Sequence, residues 1–320
     1  MERVDSQALK SILISKRANI FYLEHCRVLV NGGRVEYVTD DGKRSQYWNI
    51  PIANTTTILL GTGTSLTQAA ARELARAGVL VGFCGSGGTP LFSAADHELP
   101  IYWFSPQSEY RPTEYVQAWL GFWFDASQRL DAAKLLQKYR IDFVKKHWTS
   151  SRFGSLFLSD ASQLESVLES AWEGMASSPD STSLLLEEAR LTKNLYKLAS
   201  QKVGYGDFVR LRAEQASDRA NRFLDHGNYL AYGLGATAAW TLGLPHAFAL
   251  MHGKTRRGAL VFDAADLIKD ALIMPLAFLS AMDGDSDQEF RLRCIDRLTE
   301  TEAIDFIIDT LKCIAISMEK

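Results

Sequence analysis

The chain has 320 residues, of which 47% are hydrophobic, and its formal net charge at pH 7 is -3. This length suits two domains, and the nearly balanced charge gives no global sign of nucleic-acid binding, which would have to come from local charge. No apolar run reaches the roughly 18 to 20 residues of a membrane span, and the N-terminal MERVDSQALK lacks the apolar core of a signal peptide, so we expect a cytoplasmic protein without a membrane partner.

The first part of the chain, residues 1–97, predicts a small β-rich domain that is β-sandwich-like and holds one helix. Segments between residues 8 and 60 are rich in β-branched and aromatic residues, and NGG at 31–33 and DDG at 40–42 are turn signals that predict hairpins and a mostly antiparallel sheet. SLTQAAARELARAG at 65–78 predicts the helix, with Ser65 or Thr67 as N-cap and Gly78 at its end. The turn GTGT at 61–64 has neither the glycine spacing of a dinucleotide site nor the Gly-Lys of a phosphate loop.

The pattern changes after the proline-containing segment at 98–108, which predicts a linker. From residue 109 to 320, apolar residues recur every three and four positions, which predicts a larger, all-α domain, and the candidate catalytic residues all fall in this part of the sequence. The cysteines at 26, 84, 294 and 313 form no CxxC pair, so a zinc ribbon is not expected. The expected fold class is therefore α+β.

A carboxylate interrupts the apolar face of one predicted helix. Leu184, Glu188, Leu191 and Leu195 fall on one face of STSLLLEEARLTKNLYKLAS. Burial penalises the ionised glutamate unless a partner compensates it. Two interpretations stay open: an ion pair with an arginine at a helix interface, or a metal ligand.

Three further polar residues lie near the segment LMHGKTRRGALVFDAAD at 250–266. His252 ends an apolar run, as an interface histidine or a ligand. Asp263 and Asp266 stand three apart, which places both on one side of a helix start, where Asp263 could equally be a cap. Together with Glu188 they form an oxygen-rich set with one imidazole, which suits Mg²⁺ or Mn²⁺.

Basic residues surround these acidic ones. Residues 186–258 contain eleven Lys and Arg against six Asp and Glu, and Lys254, Arg256 and Arg257 lie within five residues of His252. Cations that bind backbone phosphates beside carboxylates that hold a metal ion are what an enzyme acting on a polyanion requires.

Several blocks of the sequence resemble one known family, the CRISPR-associated integrase of spacer acquisition, which is the first universal Cas protein, in its type I-F form. The blocks are NIPIANTTTILLGTGTSLTQAAARELARAGVLVGFCGSGG, LLLEEARLTKNLY, DHGNYLAYG, and LPHAFALMHG followed by LVFDAADL. The chain departs from the family at Ala189, where a glycine is frequent, and in the tail DLIKD.

The resemblance implies metal ligation by Glu188, His252 and Asp266, with Asp263 as a further acidic catalytic residue; the departure in the tail leaves open which aspartate touches the ion. His246 is a less favoured ligand, and His226 and Tyr232 are expected near the site. The candidate phosphate contacts are Arg190, Lys193, Lys254, Arg256 and Arg257.

The implied protein is a homodimer that binds double-stranded DNA, both the spacer precursor and the CRISPR repeat. Its implied partner is the second universal Cas protein, which in type I-F is fused to the interference helicase-nuclease. The implied reaction is Mg²⁺- or Mn²⁺-dependent DNA cleavage and transesterification, which inserts captured fragments as spacers. Two alternatives remain at this point: a non-catalytic DNA-binding scaffold, and a helical metallohydrolase of small phosphate esters.

Overall fold

The structure is a computed structural model that describes residue 17 and residues 19–40, 44–85, 102–104, 112–150, 161–211, 218–252 and 258–319. The chain divides into two compact units, Met1–Arg111 and Pro112–Lys320. The described strands all lie in the first unit, here called the β unit, and the second, here called the helical unit, is built from helices. The predicted α+β class is confirmed.

The described residues of the β unit form eight strands, one α-helix and one 3-10 turn at Ile52–Asn54. In chain order they are β1 (Asn19–Leu23), β2 (Cys26–Asn31), β3 (Arg34–Asp40), β4 (Ser45–Asn49), β5 (Thr55–Leu60), β6 (Ser65–Leu66), α1 (Gln68–Arg76), β7 (Leu80–Phe83) and β8 (Tyr102–Phe104).

These strands form two four-stranded sheets, with the orders β1-β5-β7-β8 and β4-β3-β2-β6. The hairpin predicted at 31–33 joins antiparallel β2 and β3, with Gly32 and Gly33 at positive φ. The expectation of a mostly antiparallel sheet is wrong for the other sheet, where β1, β5 and β7 run parallel. The reason is that α1 carries the chain back across the sheet between β5 and β7, which is the connection that parallel neighbours need.

Helix α1 begins where the sequence predicts, because the Thr67 hydroxyl accepts a hydrogen bond from the backbone N–H of Ala70 at 3.3 Å. Gly78, at φ 72°, follows its end. Strand β8 lies inside the segment 98–108 that was predicted as a linker, and it pairs antiparallel with β7. This part of the segment therefore belongs to the first sheet.

The helical unit contains α2 (Glu114–Trp123), α3 (Ala126–Trp148), α4 (Ala161–Ser177), α5 (Ser181–Lys202), α6 (Arg219–Thr241), α7 (Ala259–Ile268), α8 (Met274–Asp283), α9 (Asp287–Glu300) and α10 (Ala303–Ser317). A π-helical turn, Lys269–Ile273, makes α7 and α8 one continuous run. Asp125, Asp180 and Asp218 cap α3, α5 and α6 through their side chains. In the part of the chain that the structure describes, no helix is long and apolar enough to cross a membrane.

Helix α6 lies at the centre of this unit and packs directly on α7, the helix that carries Asp263 and Asp266. The two backbones approach closely at Gly235, where a Cβ would stand 2.7 Å from the Val261 carbonyl oxygen and 3.2 Å from the Ala265 backbone nitrogen. Backbone atoms of a packed helix cannot move aside like the end of a flexible side chain. Gly235 therefore sets the distance at which α7 presents its acidic face.

We expect Gly235→Ala to lower the free energy of unfolding by about 1–3 kcal/mol, because the added methyl group overpacks the contact between α6 and α7. Gly121→Ala in α2 is the matched control, since a Cβ there meets nothing within 4 Å. The control should be neutral or stabilise by up to about 1 kcal/mol through helix propensity. Chemical denaturation of both variants checks this, and equal effects would show that the approach at Gly235 is not limiting.

Candidate active site

Asp263 is a fully buried carboxylate that holds the loop 250–252. Its Oδ2 accepts hydrogen bonds from the backbone N–H groups of Leu250 at 2.6 Å and Met251 at 3.1 Å, and its Oδ1 accepts from that of His252 at 3.3 Å. Helix α7 begins at Ala259 with Gly258 as N-cap, so Asp263 is not the cap that the sequence allowed. Its role in the structure is to fix the loop that precedes its own helix.

The same carboxylate orients the imidazole of His252, whose Nδ1 lies 2.5 Å from Asp263 Oδ1. With Asp263 as the acceptor of this contact, as it is for the three backbone N–H groups, Nδ1 carries the proton and the lone pair is on Nε2. Nε2 lies 3.9 Å from Asp266 Oδ2. A histidine whose far nitrogen is anchored by a carboxylate, with the other nitrogen directed at an acidic group, is typical of metal sites.

Two indoles of α2 hold the chain just before this loop. Trp119 Nε1 donates to the Phe248 carbonyl oxygen at 2.9 Å, and Trp123 Nε1 donates to that of Ala249 at 2.7 Å. The segment 248–252 is thus tied by side chains of both α2 and α7. His252 therefore occupies a defined position although it lies outside a helix.

Glu188 projects from α5 toward a buried arginine of α3. Arg140 Nη1 donates to Glu188 Oε1 at 2.7 Å, and the Thr192 hydroxyl donates to the same oxygen at 3.1 Å. The ion pair with an arginine at a helix interface, one of the two interpretations open from the sequence, is therefore present. It does not exclude the other, because both of these hydrogen bonds use a single carboxylate oxygen.

The continuous run from α7 into the π turn supplies Asp266, Lys269 and Asp270. Lys269 Nζ pairs with Asp266 Oδ1 and lies 5.2 Å from the centre of the Tyr232 ring. Asp270 pairs with Arg140, and its carbonyl oxygen accepts a hydrogen bond from Trp148 Nε1 at 3.0 Å. That carbonyl is five residues before Pro275, which has no N–H to donate to the preceding turn. The Trp148 indole replaces the missing donor.

Burial and neighbouring charges act in opposite directions on these groups. Burial disfavours the charged form of Asp266, but Lys269, Arg140 and His252 outweigh it and lower the pKa of that carboxyl. Burial also disfavours the charge of Lys269, and Asp266 is the main group that outweighs it and raises the pKa of the ammonium. For Asp270, burial prevails over Arg140 and raises the pKa. Burial raises the pKa of Tyr196 to about 12, so its phenol stays protonated.

Most of these side chains, but neither His252 nor Asp263, line one cavity of about 60 Å³, which has room for an ion together with water. The lining comes from five helices and the π turn: Arg140 from α3; Glu188, Thr192 and Tyr196 from successive turns of α5; Leu224 and Asn228 from α6; and Asp266, Lys269, Asp270 and Met274 from the run α7 to α8. Glu188 and Asp266, which are 78 positions apart in the sequence, thus face the same space.

The donors around this cavity fit Mg²⁺ or Mn²⁺ by their chemistry. Carboxylate oxygens of Glu188 and Asp266 and the Nε2 of His252 are the ligand types that such ions accept. Cations already lie against both carboxylates, as the guanidinium of Arg140 and the ammonium of Lys269. Within the described residues, however, no three His, Cys, Asp or Glu side chains converge closely enough to form a ready-made metal site.

The structure does not bring all predicted residues to this cavity. Arg190 and Lys193 lie on other faces of α5, and Arg190 pairs with Glu187 at 2.9 Å. His226 lies 3.9 Å from Asp287, and neither His226 nor Tyr232 lines the cavity, although the Tyr232 ring lies 5.2 Å from the ammonium of Lys269, which does. His246 lies in a turn, and its backbone carbonyl accepts a hydrogen bond from the N–H of Leu260 at 3.0 Å. Lys254, Arg256 and Arg257 lie outside the described residues.

Sequence reasoning missed Arg140, Lys269 and Asp270. One signal for Arg140 was available, because this arginine lies four residues from Leu136 and four from Val144 on a buried stripe of α3, as Glu188 does on α5. For Asp270, the signal was its position four residues after Asp266, on the same helical run.

The fold and this cavity define a class of protein: a two-unit α+β protein whose helical unit carries a polar cavity lined by paired carboxylates and cations. Comparison with known proteins narrows the class. The family profile described as CRISPR associated protein Cas1 matches residues 22–289. The chain therefore belongs to the Cas1 family.

Two curated relatives cover almost the whole chain. A protein of Pseudomonas aeruginosa (strain UCBPP-PA14) named CRISPR-associated endonuclease Cas1 is 60% identical over 98% of this chain and 98% of its own length. A protein of the same name from Pectobacterium atrosepticum is 56% identical over 98% of this chain and 96% of its own length. The protein is accordingly an enzyme, a CRISPR-associated endonuclease. The alternative of a non-catalytic DNA-binding scaffold is therefore set aside.

Solved structures show the same fold. A casposase bound to integration product superposes with a TM-score of 0.71 at 13% identity, over 94% of this chain and 92% of that chain. A TtCas1–DNA complex superposes with a TM-score of 0.63 at 21% identity, over 92% of this chain and 91% of that chain. The Cas6-RT-Cas1–Cas2 complex gives 0.66 at 11% identity, over 94% of this chain and 35% of that chain.

We expect Asp263→Asn to lower the free energy of unfolding by about 2–3 kcal/mol, because an amide cannot accept from three backbone N–H groups and the imidazole as the carboxylate does. Asp131→Asn in α3 is the control, since that residue is exposed, and it should change stability by less than about 0.5 kcal/mol. Denaturant unfolding of the two variants provides the measurement. A tolerated Asp263→Asn would mean that the loop 250–252 is held by other contacts.

Proposed function

We propose that the protein integrates captured DNA fragments into a CRISPR array as new spacers, and that Glu188, His252 and Asp266 hold the divalent ion this chemistry needs. The observation that carries the proposal is the single cavity lined by Glu188 and Asp266, with His252 Nε2 3.9 Å from Asp266. Asp266 is the direct ligand of the two aspartates in this proposal. Asp263 acts through His252, because its oxygens are engaged with the loop and the imidazole.

The ion, Mg²⁺ or Mn²⁺, supplies charge stabilisation at the phosphate and a lower pKa for the attacking hydroxyl. The protein's own residues orient the donors for it. Asp263 keeps the proton of His252 on Nδ1 and so leaves Nε2 as a donor atom. Lys269 holds Asp266 ionised, and the burial of both side chains strengthens this electrostatic contact.

The attacking group is the 3′-hydroxyl of the captured fragment, and the bond that breaks is a phosphodiester at the repeat boundary. Attack by water in place of that hydroxyl gives simple endonuclease cleavage by the same residues. The substrate in both cases is double-stranded DNA. Arg190 and Lys193 are proposed to bind backbone phosphates away from the cavity. Lys254, Arg256 and Arg257, which follow His252 closely in the sequence, are proposed to bind further phosphates.

The proposal includes the type I-F form, supported by the two relatives at 60% and 56% identity against 24% for the Cas1 of Geobacter sulfurreducens. It also includes a homodimer, for which the edge strand β4, exposed along all five residues, offers a surface. The further partner is the second universal Cas protein, fused in type I-F to the helicase-nuclease. The proposal also includes a cytoplasmic location, because the CRISPR array that the protein would act on is part of the cell's own DNA.

We expect Glu188→Gln to lower Mn²⁺-dependent DNA cleavage and strand transfer at least about 100-fold, since loss of outer-shell partners alone often costs 10–100-fold. Glu187→Gln is the matched control, because it removes the adjacent carboxylate, which pairs with Arg190 and lies outside the cavity. Cleavage and integration assays on a labelled duplex provide the measurement. If Glu188→Gln keeps metal-dependent activity while it binds DNA normally, the assigned site is wrong.

The phosphate contacts predict a change in the salt dependence of DNA binding. Lys193→Ala should reduce the slope of log affinity against log salt by about 0.9, because each phosphate contact releases one counterion. Arg190→Ala should reduce it less, since Arg190 already pairs with Glu187. Lys312→Ala in α10, whose ammonium lies 3.6 Å from Asp309, is the control. Fluorescence anisotropy at several salt concentrations measures the slopes, and a slope unchanged in Lys193→Ala refutes that contact.

A further inference from the structure

Arg140 is a cation in the core of the helical unit, with 3% of its side chain exposed. Its guanidinium is fully engaged: Nη1 donates to Gln137 at 3.2 Å and to Glu188 at 2.7 Å, Nη2 donates to Thr192 at 2.7 Å and to Asp270, and Nε donates to Asp270 at 3.0 Å. Burial of such a charge is unfavourable unless anions compensate it. The two anions in contact with it are Glu188 and Asp270.

The two carboxylates are engaged with Arg140 to different extents. Asp270 receives two of the guanidinium's hydrogen bonds on one oxygen, and its side chain is 7% exposed. Glu188 receives one, and its side chain is 19% exposed where it lines the cavity. Asp270 is therefore the main counter-ion of Arg140, and Glu188 is a secondary one.

This geometry also links Arg140 to the loop that carries His252. Gln137 accepts from Arg140 and donates through Nε2 to the sulfur of Met251 at 2.7 Å, and Met251 precedes His252 in the chain. Arg140 thus stands between Glu188 on one side and the His252 loop on the other. Removal of a counter-ion of Arg140 is therefore expected to affect both Glu188 and the loop that carries His252.

We propose that Asp270 is a positioning residue that sets how strongly Glu188 binds the divalent ion. Asp270 compensates most of the guanidinium charge, so Arg140 orients Glu188 through one oxygen without cancelling its negative charge. Without Asp270, the full charge of Arg140 faces Glu188 and repels the incoming ion. This inference rests on the proposed metal role of Glu188, and it assigns neither Arg140 nor Asp270 as a ligand of the ion.

The test is the affinity of the full chain for Mn²⁺ without DNA, measured by electron paramagnetic resonance titration of the free ion. Asp270→Asn should bind Mn²⁺ at least ten times more weakly than the wild type. Asp142→Asn is the matched control on the same helix as Arg140: its carboxylate is exposed and pairs with Lys138 at 2.8 Å. The control should stay within twofold of the wild type.

The double variant Arg140→Met with Asp270→Asn separates positioning from simple support of the fold. It removes both charges together, so no buried cation is left to compete with Mn²⁺ for Glu188. Its affinity should recover to within fivefold of the wild type. If the pair only supports the fold, the double variant will bind no better than Asp270→Asn, and that result overturns the proposal, as does a single variant within twofold of the wild type.

Two further measurements keep the outcomes distinct. Circular dichroism verifies folding before each titration, and Asp270→Ser, a smaller neutral replacement, takes the place of Asp270→Asn if the latter does not fold. Glu188→Gln is titrated in parallel. If Glu188→Gln retains wild-type Mn²⁺ affinity, the proposed metal site itself fails; if it loses affinity while Asp270→Asn does not, only the role of Asp270 fails.

Discussion

A charge inside a helical core is stable only when a neighbouring charge or a set of hydrogen bonds compensates it, and the helical unit is organised by this constraint. Arg140 joins α3 to α5 and to the π turn because Glu188, Thr192 and Asp270 are the groups that satisfy it. Lys269 and Asp266 form a second compensated pair on the same cavity. The apolar packing brings the helices together, and these polar contacts fix their relative register.

Asp263 shows how one carboxylate organises an irregular segment. Its two oxygens accept from the backbone of residues 250–252 and contact Nδ1 of His252, so a loop acquires the definition usually provided by a helix. The indoles of Trp119 and Trp123 hold the residues just before it. The chain thus provides a rigid support for a histidine that the sequence places between two apolar segments.

The sequence was most informative where one residue type broke a regular pattern. Glu188 could be singled out because it stands among leucines that the structure buries completely, and Thr67 and Gly78 marked the limits of α1. Partners across elements were not predictable, since nothing local relates Arg140 to Glu188, 48 positions later, or Asp263 to the backbone it binds. The prediction of strand direction was wrong for the first sheet for a related reason. Hairpin signals predict how β2 and β3 pair, but they contain no information on how β1 and β5 pair.

The π turn Lys269–Ile273 contains one residue more than a regular helical turn in each hydrogen-bonded ring. A helix with one residue removed from this turn would be regular, but everything after it would rotate by about 100° relative to Asp263 and Asp266. Met274 would then no longer line the cavity, and Pro275 would no longer lie in the space beside Trp148. Length in this segment is therefore under a stricter constraint than side-chain identity, and a single deletion would be more disruptive than most substitutions.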